Sequence, residues 1–256
     1  MFDHNLSPFL FQIGGFGIRW YSLVYIFGFL LVAYFLKKNK DKLKIVDDEV
    51  YDFIIYLIIG VVLGARIFHV GVIDWNFYSQ NLGEILKIWH GGMSFHGGLL
   101  GAVIASYYFS KKKNINLGVL ADIITIPAIL ALALGRIANF VNAELIGKIT
   151  EVNWCVNYPN VEGCRHPSQI YSAAARFVVF FYLLILNQKV FKPGFIFWNF
   201  VFFESIGRLI VDFYREDVLY LGLTMGQGLS IALVIVSIMV FLKHYRKDLG
   251  KLFGKY

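Results

Sequence analysis

The sequence predicts an all-α protein, a polytopic membrane helix bundle with about seven transmembrane spans. Hydrophobic residues make up 58% of the 256 residues and charged residues only 16%, and the mean hydropathy is +0.63. A soluble domain of this size could not cover that much apolar surface. We expect one helix at each apolar segment of spanning length: residues 18–36, 50–70, 95–110, 117–135, 169–187, 194–213 and 226–242.

The basic residues predict how the chain is oriented. Fifteen of the 24 Lys and Arg follow the first, third, fifth and seventh segments. By the positive-inside rule these connections are cytoplasmic, so the N-terminus faces out and the C-terminus faces the cytoplasm. The same blocks explain the net charge of +7. The sequence lacks the basic stripe with stacking aromatic residues that is typical of nucleic-acid binding, so we do not expect a nucleic-acid partner.

The first apolar segment is predicted to stay in the protein. Residues 1–17 contain no Lys or Arg, so they lack the charged region that begins a cleavable signal peptide. The chain shows no low-complexity linker and no internal repeat beyond a short His-Gly-Gly echo. We therefore expect a single transmembrane domain over residues 1–256.

Both cysteines, Cys155 and Cys164, fall in the outward connection between the fourth and fifth segments. That compartment is oxidising in many bacteria, so a disulfide fits the pattern, and so do two free thiols. One nearby histidine, His166, does not complete a convincing ligand set. No metal site is predicted.

An arginine at the end of the fourth apolar segment is the strongest indication of function. Arg136 near hydrocarbon depth costs about 3 kcal/mol, so it needs a partner or a role. Asn139 lies three residues on and Glu144 two turns on along the same predicted helix. This grouping indicates a pocket for an anionic headgroup, or alternatively an interfacial arginine that reaches out to water.

Other unusual polar residues are predicted at the same leaflet. Tyr21 begins the first segment and His96 begins the third, within a glycine-dense stretch. Four charged residues of the sixth segment are spaced by four, four and three residues, which places them on one helix stripe: Glu204, Arg208, Asp212 and Arg215. The stripe fits either a binding site or a self-satisfied ladder of ion pairs. His96 fits either a structural or a catalytic role.

Two arginines at one leaflet favour a phosphate ligand, because guanidinium forks match phosphate oxygens. An outer-leaflet phospholipid carries such a phosphate. The residues alone therefore indicate a membrane enzyme, or a transporter, that handles an anionic lipid or solute at the outer face. A transporter favours repeated halves with broken helices, and the sequence shows neither.

Several motifs, in order, resemble one family. They are Trp20-Tyr21, Gly64-Ala65-Arg66-Ile67, residues 91–101, residues 135–147, the His166–Tyr171 run, the Arg208–Arg215 run and the Met225–Ser230 run. Together they resemble the bacterial phosphatidylglycerol–prolipoprotein diacylglyceryl transferases. The resemblance implies transfer of a diacylglyceryl group from phosphatidylglycerol to the lipobox cysteine of a preprolipoprotein signal peptide. It also implies a bacterial cytoplasmic (inner) membrane location, an active site near the outer leaflet and no cofactor.

The resemblance also implies roles for individual residues. Arg136 falls at the headgroup position, Arg208 matches a second essential arginine, and His96 matches a histidine proposed as the base. Other family motif positions hold the remaining expected catalytic and substrate-binding residues: Tyr21, Asn139, Glu144, Gly147, Asp212 and Arg215.

Four positions depart from the family pattern. Ala138 and Ala143 stand where glycine is common, Glu204 stands where tyrosine is frequent, and Asp212 replaces a usual glutamate. A tyrosine's role cannot be assigned to a carboxylate. We expect Glu204 instead to orient Arg208.

Overall fold

A computed structural model describes residues 2–14 and 16–252. In these ranges the main elements are ten α-helices: α1 (Trp20–Lys38), α2 (Lys40–Leu43), α3 (Asp47–Phe68), α4 (Trp75–Gln80), α5 (Phe95–Lys112), α6 (Leu117–Val141), α7 (Ser168–Leu186), α8 (Phe195–Asp212), α9 (Met225–His244) and α10 (Arg246–Leu252). Short π and 3-10 turns follow α3 and α4. A helix lies at each of the seven predicted segments, so the mostly helical prediction is confirmed.

By length and composition, five of the helices in the described ranges could cross a membrane: α1, α3 with its π turn, α6, α7 and α9. Two other long helices, α5 and α8, do not meet that criterion. The 18 residues of α5 contain three glycines and end on Lys111 and Lys112, and the 18 residues of α8 carry Glu204, Arg208 and Asp212. The structure thus supports a multi-pass membrane protein.

Three two-stranded sheets were not predicted. β1 (Phe2–Asp3) pairs in parallel with β4 (Val156–Asn157). β2 (Phe9–Ile13) pairs antiparallel with β3 (Phe16–Arg19), and β5 (Leu219–Tyr220) pairs antiparallel with β6 (Leu223–Thr224). Strands of two to five residues are too short for an alternating apolar pattern to be distinctive.

The chain divides into two compact units. One contains the residues up to Leu31 together with those from Ile124 onward, and the other is Val32–Ile123. In the first unit, Phe195 of α8 is fully buried, and its ring lies 5.8 Å from that of Phe241 in α9. The same unit contains a disulfide between Cys155 and Cys164, so of the two states that the sequence allowed, the paired one is confirmed.

In the second unit, glycines bring α3 and α5 into backbone contact. Gly60 and Gly64 of α3 face Gly97 and Gly101 of α5, and a Cβ on any of the four would meet backbone atoms of the facing helix. Small residues permit such close approach between membrane helices, and close approach increases van der Waals contact.

Arg66 holds the segment that leads into α5. It is buried, and its Nε, Nη1 and Nη2 atoms donate to five main-chain carbonyls at 2.5–3.4 Å: Glu84, Ile85, Lys87, Gly91 and Gly92. Five donors in a rigid planar fork therefore fix one irregular segment. Ser94 then caps α5 by accepting from the Gly97 amide.

Gly101→Ala is expected to destabilise the protein by about 1–3 kcal/mol, because the added methyl overpacks the contact with the Gly60 backbone. Gly98→Ala in the same helix is the control, since its Cβ would lie 3.6 Å from its nearest neighbours. We expect Gly98→Ala to be neutral or slightly stabilising. Thermal unfolding in detergent measures both, and equal midpoints would contradict the packing argument.

Candidate functional site

Arg136, Asn139 and Glu144 form a connected polar group at the end of α6. Arg136 Nη1 lies 3.4 Å from Asn139 Oδ1, and Asn139 Nδ2 donates to Glu144 Oε2 at 2.8 Å. The predicted grouping is therefore confirmed, but the expected helical placement of Glu144 is wrong. The helix ends at Val141, and a left-handed φ of 55° at Ala143 helps turn the chain so that Glu144 comes back to Asn139.

The start of α7 holds this turn in place. Ser168 Oγ donates to the Leu145 carbonyl at 2.9 Å, and Gln169 Nε2 donates to the Glu144 carbonyl at 2.5 Å. Gln169 is almost fully buried, and its Oε1 accepts from the Tyr158 hydroxyl at 3.1 Å. Burial raises the pKa of Tyr158 to about 12, so this phenol stays a donor at neutral pH.

Gly147 lies where two backbone segments converge. It forms an isolated antiparallel bridge with Arg215, and the next residue, Lys148, donates its amide to the Tyr214 carbonyl at 2.9 Å. A Cβ on Gly147 would meet the carbonyl oxygens of His166 and Tyr214. A glycine is thus needed at position 147, because the backbones that approach it leave no room for a side chain. Its bridge to Arg215 joins the loop after α6 to the segment after α8.

The charges at the end of α8 converge on one buried carboxylate. Asp212 is 1% exposed, and its Oδ1 lies 2.9 Å from Arg208 Nε and 3.8 Å from Arg215 Nε. Thr224 Oγ1 donates to Asp212 Oδ2 at 3.0 Å. Arg215 lies three residues after the end of α8 and also pairs with Asp217 at 2.8 Å.

Glu204 does not orient Arg208, so that expectation is wrong. Glu204 instead pairs with Arg176 of α7, and Asp212 orients Arg208. Arg176 is a buried residue that the sequence analysis did not select. An arginine within the apolar run of α7 is a usable signal, but only the rotation of α7 against α8 reveals its partner.

The arginines of α6, α7 and α8 share one electrostatic environment. Arg136 interacts with the charges of Arg176, Arg208, Arg215 and Glu204. Arg176, Arg208 and Arg215 each have a carboxylate within 4.0 Å. Among the described residues no carboxylate lies that close to Arg136. Of these four arginines, Arg136 is therefore the one whose guanidinium is not paired with a carboxylate.

An aromatic cleft of about 590 Å³ lies between residues of α7 and α8. Its lining includes His166 just before α7, Tyr171 in the first turn of α7, Gly207 of α8 and Tyr214 two residues after α8. The Tyr171 hydroxyl lies 3.1 Å from His166 Nδ1 and accepts from Trp154 Nε1 at 2.7 Å. Burial lowers the pKa of His166 below its ordinary value, which favours a neutral imidazole at neutral pH.

Comparison with known proteins gives consistent matches over most of the chain. The family model described as prolipoprotein diacylglyceryl transferase matches residues 8–243. The chain is 38% identical to the phosphatidylglycerol–prolipoprotein diacylglyceryl transferase of Geobacter sulfurreducens, over 96% of this chain and 98% of that protein. The chain belongs to the prolipoprotein diacylglyceryl transferase family.

Two further relatives with the same name agree in extent. Identity is 39% with the protein of Rickettsia canadensis, over 91% of this chain and 95% of that protein. Identity is 35% with the protein of Brucella anthropi, over 91% of this chain and 90% of that protein. The prolipoprotein diacylglyceryl transferase match thus includes every described helix from α1 to α8 and nearly all of α9.

Two expected residues of this transferase family member lie on other elements. The ring of Tyr21, in the first turn of α1, packs edge-on against Tyr25 with centroids 5.2 Å apart. His96 lies in the first turn of α5, in the second compact unit, where it is exposed beside the Phe95 ring. In the part of the chain that the structure describes, Tyr21 makes no hydrogen bond to the polar group of Arg136, Asn139 and Glu144.

Proposed function

We propose that this chain transfers the diacylglyceryl group of phosphatidylglycerol to the thiol of a prolipoprotein cysteine, as a step of lipoprotein maturation. Membership of the transferase family supports this reaction. The observation that assigns the reaction to a site is Arg136, a half-buried guanidinium whose charge interacts with the charges of three other arginines. That arrangement suits one anionic phosphate.

The chemistry follows from the bonds that change. The thiolate sulfur attacks the glycerol carbon that bears the phosphodiester, a thioether bond forms, and the carbon–oxygen bond to phosphate breaks. Glycerol phosphate leaves with the electron pair of that bond, so negative charge grows on the phosphate. Arg136 and Arg208 stabilise this charge because preorganised donors act most strongly where charge develops.

The residue roles are assigned from this chemistry. Asn139, Gly147, Asp212 and Arg215 bind the substrate with Arg136 and Arg208, either by contact or by orienting the guanidiniums, as the Asp212 contact at 2.9 Å indicates. Tyr21, Glu144 and His96 complete the catalytic set, with His96 as acceptor of the thiol proton. No cofactor is needed for a displacement of this kind.

We extend the proposal to the setting of the enzyme. The chain acts as one transmembrane catalytic domain over residues 1–256, with about seven spans in the bacterial inner membrane. Its N-terminus lies outside, its C-terminus lies in the cytoplasm, and the site lies near the outer leaflet of the bilayer. The thiol belongs to the lipobox cysteine of a signal peptide. The basic blocks after alternate helices support this orientation.

The reaction is tested with purified protein, phosphatidylglycerol and a lipobox peptide. Mass spectrometry should find the peptide heavier by one diacylglyceryl group, together with free glycerol phosphate. A peptide with serine in place of the cysteine is the control and should stay unmodified. If the folded wild-type protein forms no thioether product, the transferase assignment is rejected and a lipid transporter is favoured.

Arg136→Ala and Arg208→Ala should each abolish turnover while the helical content is kept. Each removes a charge-assisted contact of about 1.5–3 kcal/mol, and more if the contact tightens in the transition state. Arg136→Lys should also be impaired, because an ammonium lacks the planar fork. Initial rates at equal expression give the measurement, and Arg19→Ala, an exposed arginine, is the control. Full activity in either alanine variant would exclude the headgroup role.

His96→Gln separates a base from a structural residue. Glutamine keeps donor and acceptor groups but cannot usefully accept a proton, so the rate at pH 7 should fall by about 10²–10⁴-fold. Activity should partly return near pH 8.5, about the pKa of a free thiol. A glutamine variant with a near-normal rate at pH 7 would assign His96 to the structure of the α5 N-terminus.

Cysteine labelling of intact cells tests the orientation. A cysteine introduced near Asn81 should react with an impermeant maleimide, and one near Asn114 should react only after the membrane is opened. Cys155 and Cys164 are paired and give little background. The reverse pattern would invert the bundle and move the site to the inner leaflet.

A further inference from the structure

Arg176 is a buried arginine for which the proposed mechanism has no role. It lies on α7, between Ala175 and Phe177, and is 6% exposed. A charge inside an apolar helix is costly unless it is paired or functional. Its position on a helix neighbouring α8 places it beside the arginines that the mechanism does use.

Two nitrogens of the Arg176 guanidinium have hydrogen-bond or ion-pair partners, and the third has none among the described residues. Nη2 pairs with Glu204 of α8, and Nη1 donates to the hydroxyl and the carbonyl of Ser172, one turn earlier on α7. Nε is buried and has no hydrogen-bond partner among the described residues. A buried N–H left without an acceptor is unfavourable, so this donor is available to a bound oxygen.

The unused donor belongs to a cluster of positive charge. Arg176 interacts electrostatically with Arg136 of α6 and with Arg208 of α8. Glu204 pairs with Arg176 and Asp212 pairs with Arg208, so Arg136 is the member of these three arginines whose charge is not balanced by a paired carboxylate in the part of the chain that the structure describes. An anion between them would relieve the repulsion, and guanidinium forks suit phosphate oxygens.

We propose that Arg176 is a third headgroup-binding residue, whose Nε–H donates to a phosphate oxygen of phosphatidylglycerol. Glu204 and Ser172 are positioning residues that hold its fork. This inference rests on the proposed function and deepens it. It also explains Glu204 as the counter-charge of Arg176.

The test compares the loss of the arginine with the loss of the whole ion pair. Arg176→Met leaves Glu204 half-buried and unpaired, whereas Arg176→Met with Glu204→Leu removes both charges. A purely structural ion pair is often replaced by apolar residues without penalty. Tyr182→Phe is the matched control, because it removes another hydrogen bond between α7 and α8, from the Tyr182 hydroxyl to Asn199 Oδ1 at 2.9 Å.

Two readouts are measured on the full-length protein. The first is binding of phosphatidylglycerol, diacylglycerol and inorganic phosphate by native mass spectrometry, which does not depend on turnover. The second is transferase kinetics in mixed micelles, with separate KM values for phosphatidylglycerol and for the lipobox peptide. Thermal unfolding of each variant controls for folding.

We expect both Arg176 variants to bind phosphatidylglycerol about 10- to 100-fold more weakly, and the lipid KM to rise accordingly. Binding of diacylglycerol and the peptide KM should stay within about twofold, and Tyr182→Phe should match the wild type.

A double variant with wild-type lipid affinity would overturn the proposal and make the pair structural. If the Arg176 variants bind inorganic phosphate more weakly but bind phosphatidylglycerol as the wild type does, Arg176 binds free phosphate and the proposal is overturned. Failure of the wild type to form product, with these affinity differences intact, would reject the transferase function alone.

Discussion

The structure of this site depends on one constraint: a charge carried on an apolar helix must find its partner within the protein. Asp212 satisfies it, since the carboxylate is buried against Arg208, Arg215 and Thr224. Glu204 and Arg176 satisfy it between two helices. Breaking a buried pair on one side leaves an uncompensated charge, which is more costly than the pair itself is stabilising. The pair between Arg176 and Glu204 therefore holds α7 and α8 in one arrangement. Within the described ranges Arg136 departs from this rule, which is why we propose it as an anion-binding residue.

Backbone proximity is the second requirement, and small residues provide it. In the second unit Gly60, Gly64, Gly97 and Gly101 let two helices touch along their main chains. In the first unit Gly147 fits between the carbonyls of His166 and Tyr214. Gly226 plays a related part, because a side chain there would meet Asp212 and Arg208. Glycine thus serves packing in one unit and access to charged groups in the other.

Irregular segments are fixed by buried polar side chains. Gln169 and Ser168 hold the turn that returns Glu144 to Asn139, and Arg66 binds five carbonyls of the segment before α5. Main-chain groups in such segments lack helical partners and need substitutes. The motifs around these residues therefore act partly by shaping loops, and the polar groups proposed for catalysis depend on that shape. Gln169 and Arg66 thus contribute through the shape of a loop, whereas Arg136 is proposed to contact the anion directly.

The sequence by itself determined the membrane class, the positions of the seven helical segments and the grouping of Arg136 with Asn139, because hydropathy and spacings of three or four residues are local properties. It also brought Arg208, Asp212 and Arg215 together. It did not predict the small sheets, whose strands are too short for a periodic signal, or the reversal of the chain that carries Glu144 back from the end of α6. Only the tertiary structure decided that Glu204 pairs with Arg176 and leaves Arg208 to Asp212. That choice depends on how α7 is rotated against α8, and no spacing within one helix encodes the rotation of its neighbour.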